Sequence, residues 1–235
     1  MNGTIPREVY VPFLRRTIAV HWQYHAALMV SVWFLLVPVA LIAIRFFKPP
    51  PTRYGIDKGT GRFDRRLVWW TLHYSILYGA IGLAIGGMAV AVFASGGISH
   101  SVHALLGFAT IAFGCLQILS GWFRGTHGGK QGAHSDPDDP ATWHGDHYDM
   151  TPRRRWFEAY HKTAGYFAVA LAVGAVGSGL MQYWIPGLAA AFAVLVVGWL
   201  LAAVWLEGRG RRQDTYRSVY GNDPEHPYNR ARRGL

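Results

Sequence analysis

Four histidines stand in otherwise uncharged, apolar surroundings, and they are the residues of this chain best equipped for chemistry. They are His25, His73, His103 and His161, from eleven histidines in 235 residues. A neutral imidazole offers one ring nitrogen as a donor and the other as a metal ligand, and it titrates near neutral pH. No Asp, Glu, Lys or Arg enters the uncharged apolar runs, and Arg45 lies just past the end of the first. An ionisable group at membrane depth is costly and points to function. One such histidine alone reads equally well as an interfacial residue bonded to water or backbone. Four at equivalent places in successive segments call for a shared role. His21 and His100 lie one helical turn before His25 and His103 and are alternative candidates, with motif and depth favouring His25 and His103.

The elements that must carry these residues are set by the distribution of charge. No Asp, Glu, Lys or Arg occurs from Ala26 to Ile44, from Leu67 to Phe123, or from Thr163 to Leu206. Roughly 20 apolar residues cross a bilayer as a helix. The chain is 51% hydrophobic and 15% charged, against about 25% charged in a soluble domain. These figures exclude an ordinary water-soluble domain and a disordered tail, and the single Cys115 excludes a disulfide framework. Ser95-Gly96-Gly97 breaks the second gap and Ile185-Pro186-Gly187 the third. Five spans result, at about Tyr24–Phe47, Leu67–Ala94, Ser99–Phe123, Trp156–Trp184 and Pro186–Trp205. The expected fold class is all-α, an integral membrane helical bundle of five transmembrane helices. Continuous apolar runs without period-two alternation exclude a β-barrel. The first run reads as a full span and not as a cleaved leader.

Basic residues set the expected orientation. Three precede the first span, none lies in the turns Ser95–Ile98 and Ile185–Pro186, and twenty lie in the remaining loops and the tail. The positive-inside rule puts the N-terminus outside and the C-terminus in the cytoplasm of a plasma or inner membrane. Basic residues beside spans attract anionic headgroups, so the net charge of +10 needs no nucleic acid.

Helices alternating in direction place His25 and His103 near the outer face, and His73 and His161 near the inner face. Each pair comes from parallel helices. That arrangement suits two hemes b held by paired axial imidazoles, with the same four histidines as ligands of the heme iron. From His103, helical spacing gives Gly107, Thr110, Gly114, Gln117 and Gly121; from His161 it gives Gly165, Ala168, Ala172, Ala175 and Gly179. Small residues there leave room for a flat macrocycle, with Gly107, Gly121, Gly165 and Gly179 as the cofactor-facing positions. Close helix packing is the competing reading. Gly79, Gly82, Gly86 and Gly87 in the second span, with a G-x-x-x-G pair at Gly82 and Gly86, read as packing.

The segments HAALMVSVWFLLVPVALIAIRFF at His25, LHYSILYGAIGLAIGG around His73, HALLGFATIAFGCLQILSGWFR at His103 and YHKTAGYFAVALAVGAVGSGL around His161 resemble the cytochrome b561 family. The resemblance covers roughly residues 20–184, and H-x-x-x-G at His103 and His161 is its most specific part. It implies a four-helix di-heme core at 21–184, in which the first histidine pairs with the third and the second with the fourth. It further implies electron transfer across the membrane, often from a cytoplasmic reductant to an outer acceptor. Members with ascorbate activity commonly have six spans, whereas this chain has the core plus a fifth helix at 185–208. An outer segment at 1–20 and a cytoplasmic tail at 209–235, read as irregular, complete the organisation.

Arg65, Arg66 and Lys162 suit either an anionic donor beside the inner heme or positive-inside anchoring. Arg45, Arg66, Lys162, His21 and His100 are candidate substrate or propionate contacts. Trp33 and Gln117 are weighed as ring-edge contacts against plain core roles, and Cys115 as packing. The segment 125–152 carries His127, His134, His144, His147, Asp136, Asp138, Asp139, Asp146 and Asp149. These are metal-ligand types without a closed zinc spacing, so a polar or docking loop competes with a metal site. Expected partners are the lipid bilayer and a small-molecule or protein electron donor and acceptor, quinone among the candidates. A homodimer is compatible with the pattern.

Three function classes follow: a di-heme transmembrane electron carrier, a heme-bearing anchor subunit of a larger redox complex, and a non-redox transporter. Two imidazoles per iron leave no open position, which favours outer-sphere electron transfer over oxygen chemistry. A proton-coupled transporter wants carboxylates deep inside its spans, and the uncharged runs hold none.

Overall fold

The computed structural model describes residues 6–57, 59–124, 136, 138–142 and 152–224. Five of its helices are long and apolar enough to cross a membrane: Trp22–Phe46, Val68–Ala94, Val102–Trp122, Trp156–Gln182 and Pro186–Gly208. They fall within a few residues of the five expected spans. The last extends past Trp205, so Glu207 joins its final turn, and the fourth is part of a longer helix beginning at Pro152.

The elements are β1 (Glu8–Val11), β2 (Arg16–Ala19), α1 (Trp22–Ser31), α2 (Val37–Phe46), α3 (Val68–Ala94), α4 (Val102–Trp122), α5 (Pro152–Gln182), α6 (Pro186–Gly208) and α7 (Thr215–Tyr220). They form two compact units, Met1–Pro38 with Ile76–Leu116 and Ala164–Trp199, and Val39–Ser75 with Gln117–Thr163 and Leu200–Leu235.

In the first unit, β1 and β2 form an antiparallel hairpin with Glu8 opposite Ala19 and Val11 opposite Arg16. Arg15 takes the left-handed conformation (φ 50°) that closes the turn. The Trp22 indole N–H donates to the Pro6 carbonyl at 2.7 Å and ties the hairpin to α1. Between α1 and α2 the helix widens to a π-helical stretch, Val32–Leu36. Pro38 is the physical cause: its ring cannot sit over the carbonyl of residue 34, and it brings no N–H to bond it. The freed Phe34 carbonyl accepts the Trp199 indole N–H at 2.7 Å instead. Val32, Trp33 and Phe34 are buried at this place.

The second unit holds the 47–67 segment and the tail. In its described part, residues 209–224, the tail is not the irregular extension that the sequence suggested. Asp214 caps α7 by accepting from the Tyr216 and Arg217 N–H groups. Ile56 N–H donates to the Val219 carbonyl (2.8 Å) and Asn222 N–H to the Thr52 carbonyl (2.9 Å). Gly55 (φ 77°) and Gly221 (φ 97°) make this approach feasible, because a Cβ on either would run into the opposing backbone. Tyr216 and Tyr220 are buried, and the Tyr216 hydroxyl donates to Glu158. A six-residue helix with two buried tyrosines has no apolar run long enough to stand out in sequence.

Candidate functional site

Each unit holds one of the two expected histidine pairs. In the first, the His25 and His103 rings face each other with centroids 6.2 Å apart and planes at 90°. The His103 Nδ1–H donates to the Ala175 carbonyl at 2.8 Å. A carbonyl can only accept, so the proton sits on Nδ1 and the Nε2 lone pair is left for a ligand role. The His25 Nδ1 is buried beside the Gly87 backbone, outside strict hydrogen-bond geometry.

In the second unit, the buried His73 donates from Nδ1 to the Ala40 carbonyl at 3.2 Å. His161 Nδ1 lies 3.1 Å from Ser120 Oγ. The Ser120 hydroxyl hydrogen is directed to the Gln117 carbonyl at 2.9 Å. Its oxygen is therefore the acceptor, and His161 also carries its proton on Nδ1. His73 and His161 are near enough to interact electrostatically. Aromatic rings brace both: Trp70 lies 6.2 Å from His73 and Phe157 4.9 Å from His161, centroid to centroid. The Arg124 guanidinium sits 4.6 Å over the Trp70 ring. Three of the four histidines thus have the same tautomer, with the proton on Nδ1.

The alternatives His21 and His100 are exposed. His21 meets Tyr24 edge-on and lies 3.4 Å from Gln23 Nε2. The fold brings His25, and not His21, to His103.

The glycines divide by what a side chain would meet. A Cβ on Gly179 would lie 2.8 Å from both Cε1 and Nδ1 of His103, so the room there is taken by the imidazole itself. The expectation of macrocycle volume at Gly179 becomes one of ligand seating. Gly107 and Gly121 have nothing within 4 Å of an added Cβ. Gly114 packs on Ile81 and Trp33, as ordinary helix packing requires. Gly165 lies one turn after His161 on the half-buried side of α5. Gly82 and Gly86, read as a packing pair, are exposed, and an added Cβ there would meet nothing within 4 Å, whereas a Cβ on neighbouring Gly87 would overlap Met29 and Leu28 and lie 4.0 Å from His25 Nδ1.

Three of the candidate anion contacts are already paired. Arg45 bonds Glu207 at 3.0 Å, Arg66 bonds Asp57 at 2.9 Å and Asp64 at 3.1 Å, and Lys162 bonds Glu158 at 2.6 Å. The backbone N–H and guanidinium of Arg66 hold the Asp64 carboxyl below its usual range. Burial pushes Lys48 down to about 8. Of the loop suggested as a metal site, His127, His134, His144, His147, Asp146 and Asp149 lie outside the described residues, and Asp136, Asp138 and Asp139 are exposed. Among the described residues no three His, Cys, Asp or Glu side chains converge as a metal cage.

Sequence reasoning missed the groups that orient the imidazoles. Ala175 stood on the small-residue stripe, but its carbonyl role gives no sequence signal, and neither does that of Ala40. Ser120, beside Gly121 and on the helix that carries His103, was the one legible member. Comparison with protein-family models, curated proteins and solved structures gives no match to this chain.

Proposed function

We propose that this chain is an integral membrane electron carrier of cytochrome b561 type that holds two b-type hemes, one between His25 and His103 and the other between His73 and His161. The observation that carries the reading is the His25–His103 pair. Two imidazoles bound to one metal at about 2 Å each have ring centres roughly 6 Å apart; the observed separation is 6.2 Å. The donor set fits as well. Nδ1–H groups held by Ala175, Ala40 and Ser120 fix the tautomer that presents Nε2 and raise its basicity, as in most histidine–metal sites.

The bound groups would supply a one-electron Fe(III)/Fe(II) couple. The protein's own part is to saturate the iron with imidazoles, to keep each ring in one tautomer, and to exclude water with Trp33, Trp69 and the other apolar side chains. We read the orientation as N-terminus outside, with a cytoplasmic reductant or quinol as donor and an outer acceptor. An inside-negative potential favours outward electron movement by ~2.3 kcal/mol per 100 mV for a full crossing.

The test is a reduced-minus-oxidised visible spectrum and heme assay of the purified full-length chain. Two b-type hemes per chain are expected. A well-folded chain from heme-replete cells that carries none would defeat the proposal. For direction, oriented vesicles are given reductant on one side. Rapid reduction only from the N-terminal side would reverse the proposed flow.

A further inference from the structure

At the ends of α2 and α6 and the start of α3, the second unit contains a recess of about 530 Å³ lined by the 46–50 segment with Lys48, and by Arg65, Arg66, Arg211 and Gln213. Four of these side chains are cationic and none is acidic. Their commitments differ. Arg66 is held by Asp57 and Asp64, and Lys48 Nζ donates to the Gln213 carbonyl at 2.9 Å. Arg65 and Arg211 are exposed and make no ion pair among the described residues. The neighbouring Arg45 and Arg212 have already taken Glu207. The remaining wall is apolar, formed by the two phenylalanines and two prolines.

We propose that this recess binds the phosphodiester of an anionic phospholipid, with Arg65 and Arg211 as its charge partners and the Phe46–Pro50 wall against the lipid's glycerol and upper acyl chains. The inference rests on the membrane reading given above and is independent of heme. An amphiphile is favoured over a free anion because cations and apolar surface share one recess, and because the recess adjoins three span ends. Trp205, with the Arg209 guanidinium 5.1 Å over its ring, and the Trp69–Trp70 pair at the start of α3 are residues typical of the headgroup level. The headgroup must bring no cation of its own, since a choline ammonium would meet Lys48, Arg65 and Arg211. An arriving phosphate would also offset the cost of keeping the half-buried Lys48 charged.

The experiment uses the detergent-solubilised full-length chain. Retention of phosphatidylglycerol and of phosphatidylcholine is compared by native mass spectrometry and thermal unfolding, with inorganic phosphate as a third arm. Preferential retention of phosphatidylglycerol is expected. The double variant Arg65→Gln/Arg211→Gln should weaken it about thirty-fold, at roughly tenfold or less per interfacial arginine. Arg65→Lys/Arg211→Lys should largely restore it, and Arg7→Gln/Arg16→Gln should leave it unchanged. Equal retention of the two lipids, or a preference indifferent to the Gln pair, overturns the proposal. Displacement by millimolar inorganic phosphate overturns the lipid as the source of the phosphate. If the chain is found in the soluble fraction of cells, the membrane reading fails as well. A membrane-bound chain without lipid preference fails on this inference alone.

Discussion

The first unit adds close packing to place its imidazoles, whereas the second places both of its imidazoles by hydrogen bonds. In the first unit only one imidazole has a polar anchor, the Ala175 carbonyl. Close contact completes the placement, with Gly179 under the His103 ring and Gly87 beside His25. In the second unit both imidazoles are anchored, to the Ala40 carbonyl and to Ser120. A glycine seat resists any added atom but tolerates loss of a polar group. A hydrogen-bonded seat does the reverse. The two pairs should therefore fail under different substitutions, although the chemistry proposed for them is the same.

The largest effects should come from the imidazoles themselves. His25→Ala or His103→Ala should lower the heme content from two per chain to one, and His73→Ala or His161→Ala should do the same for the other heme. The two sets of single variants should leave spectrally different remainders. His21→Ala should keep both hemes. Loss of a heme in His21→Ala with retention in His25→Ala would reverse the ligand assignment.

Next come the glycines. Gly179→Leu should cost the first unit its heme, because even a Cβ overlaps the His103 ring. Folded yield, read by size-exclusion elution and helical content, should fall less than heme occupancy. Gly121→Leu, where an added Cβ meets nothing within 4 Å, separates two readings of the open space. Heme loss there with normal folding would mark macrocycle volume, and full heme content would mark a plain surface. Gly82→Leu is the control and should leave both hemes in place.

Ser120→Ala tests the other side of the comparison. It removes the acceptor for His161 Nδ1–H without adding bulk. Outer-shell partners of this kind are worth about 10- to 100-fold in metal affinity, so heme should dissociate faster from the second unit alone, with a shifted midpoint potential. Ser120→Thr should restore most of it. An unchanged second heme would mean that His161 is held by packing on Phe157, and the contrast between the units would collapse.

The same contrast explains how far the sequence could be read. The five helices were legible within a few residues, because uncharged runs of span length have few other uses. The four histidines were legible because ionisable groups in such runs are rare. The seats were not. Gly179 stood out as small, but whether the space beside it belonged to a macrocycle, a helix or an imidazole depends on the side chain across the gap. The π-helical stretch at Val32–Leu36 follows from Pro38, yet its repair by Trp199 is a contact 165 residues away in sequence. The tail was misread because its order comes from glycine-permitted backbone contacts to residues 52–56, which no periodicity announces.

The smallest effect concerns a group that only the second unit possesses. Lys48 lies just beyond α2 and titrates at about 8, with burial the main cause and Arg45, Arg212 and Lys162 adding repulsion that Asp214 only partly offsets. An unfolded lysine titrates near 10.4. Between those values the unfolded state binds more protons than the folded one, so stability rises with pH across that window. Below about pH 8 both states carry the charge, and the folded state bears the full penalty. Lys48→Met should remove this slope and should raise stability slightly at pH 7, because a half-buried ammonium is replaced by an apolar side chain of similar length. Thermal unfolding of the two proteins at pH 7, 8.5 and 10 in the same detergent measures it, with either heme signal serving to check that the bundle is intact. The difference between variant and wild type should shrink as the pH rises. A gap that stays constant from pH 7 to 10 would mean that Lys48 is solvated as freely as the surface arginines, and that the second unit has no titrating group of its own at this end.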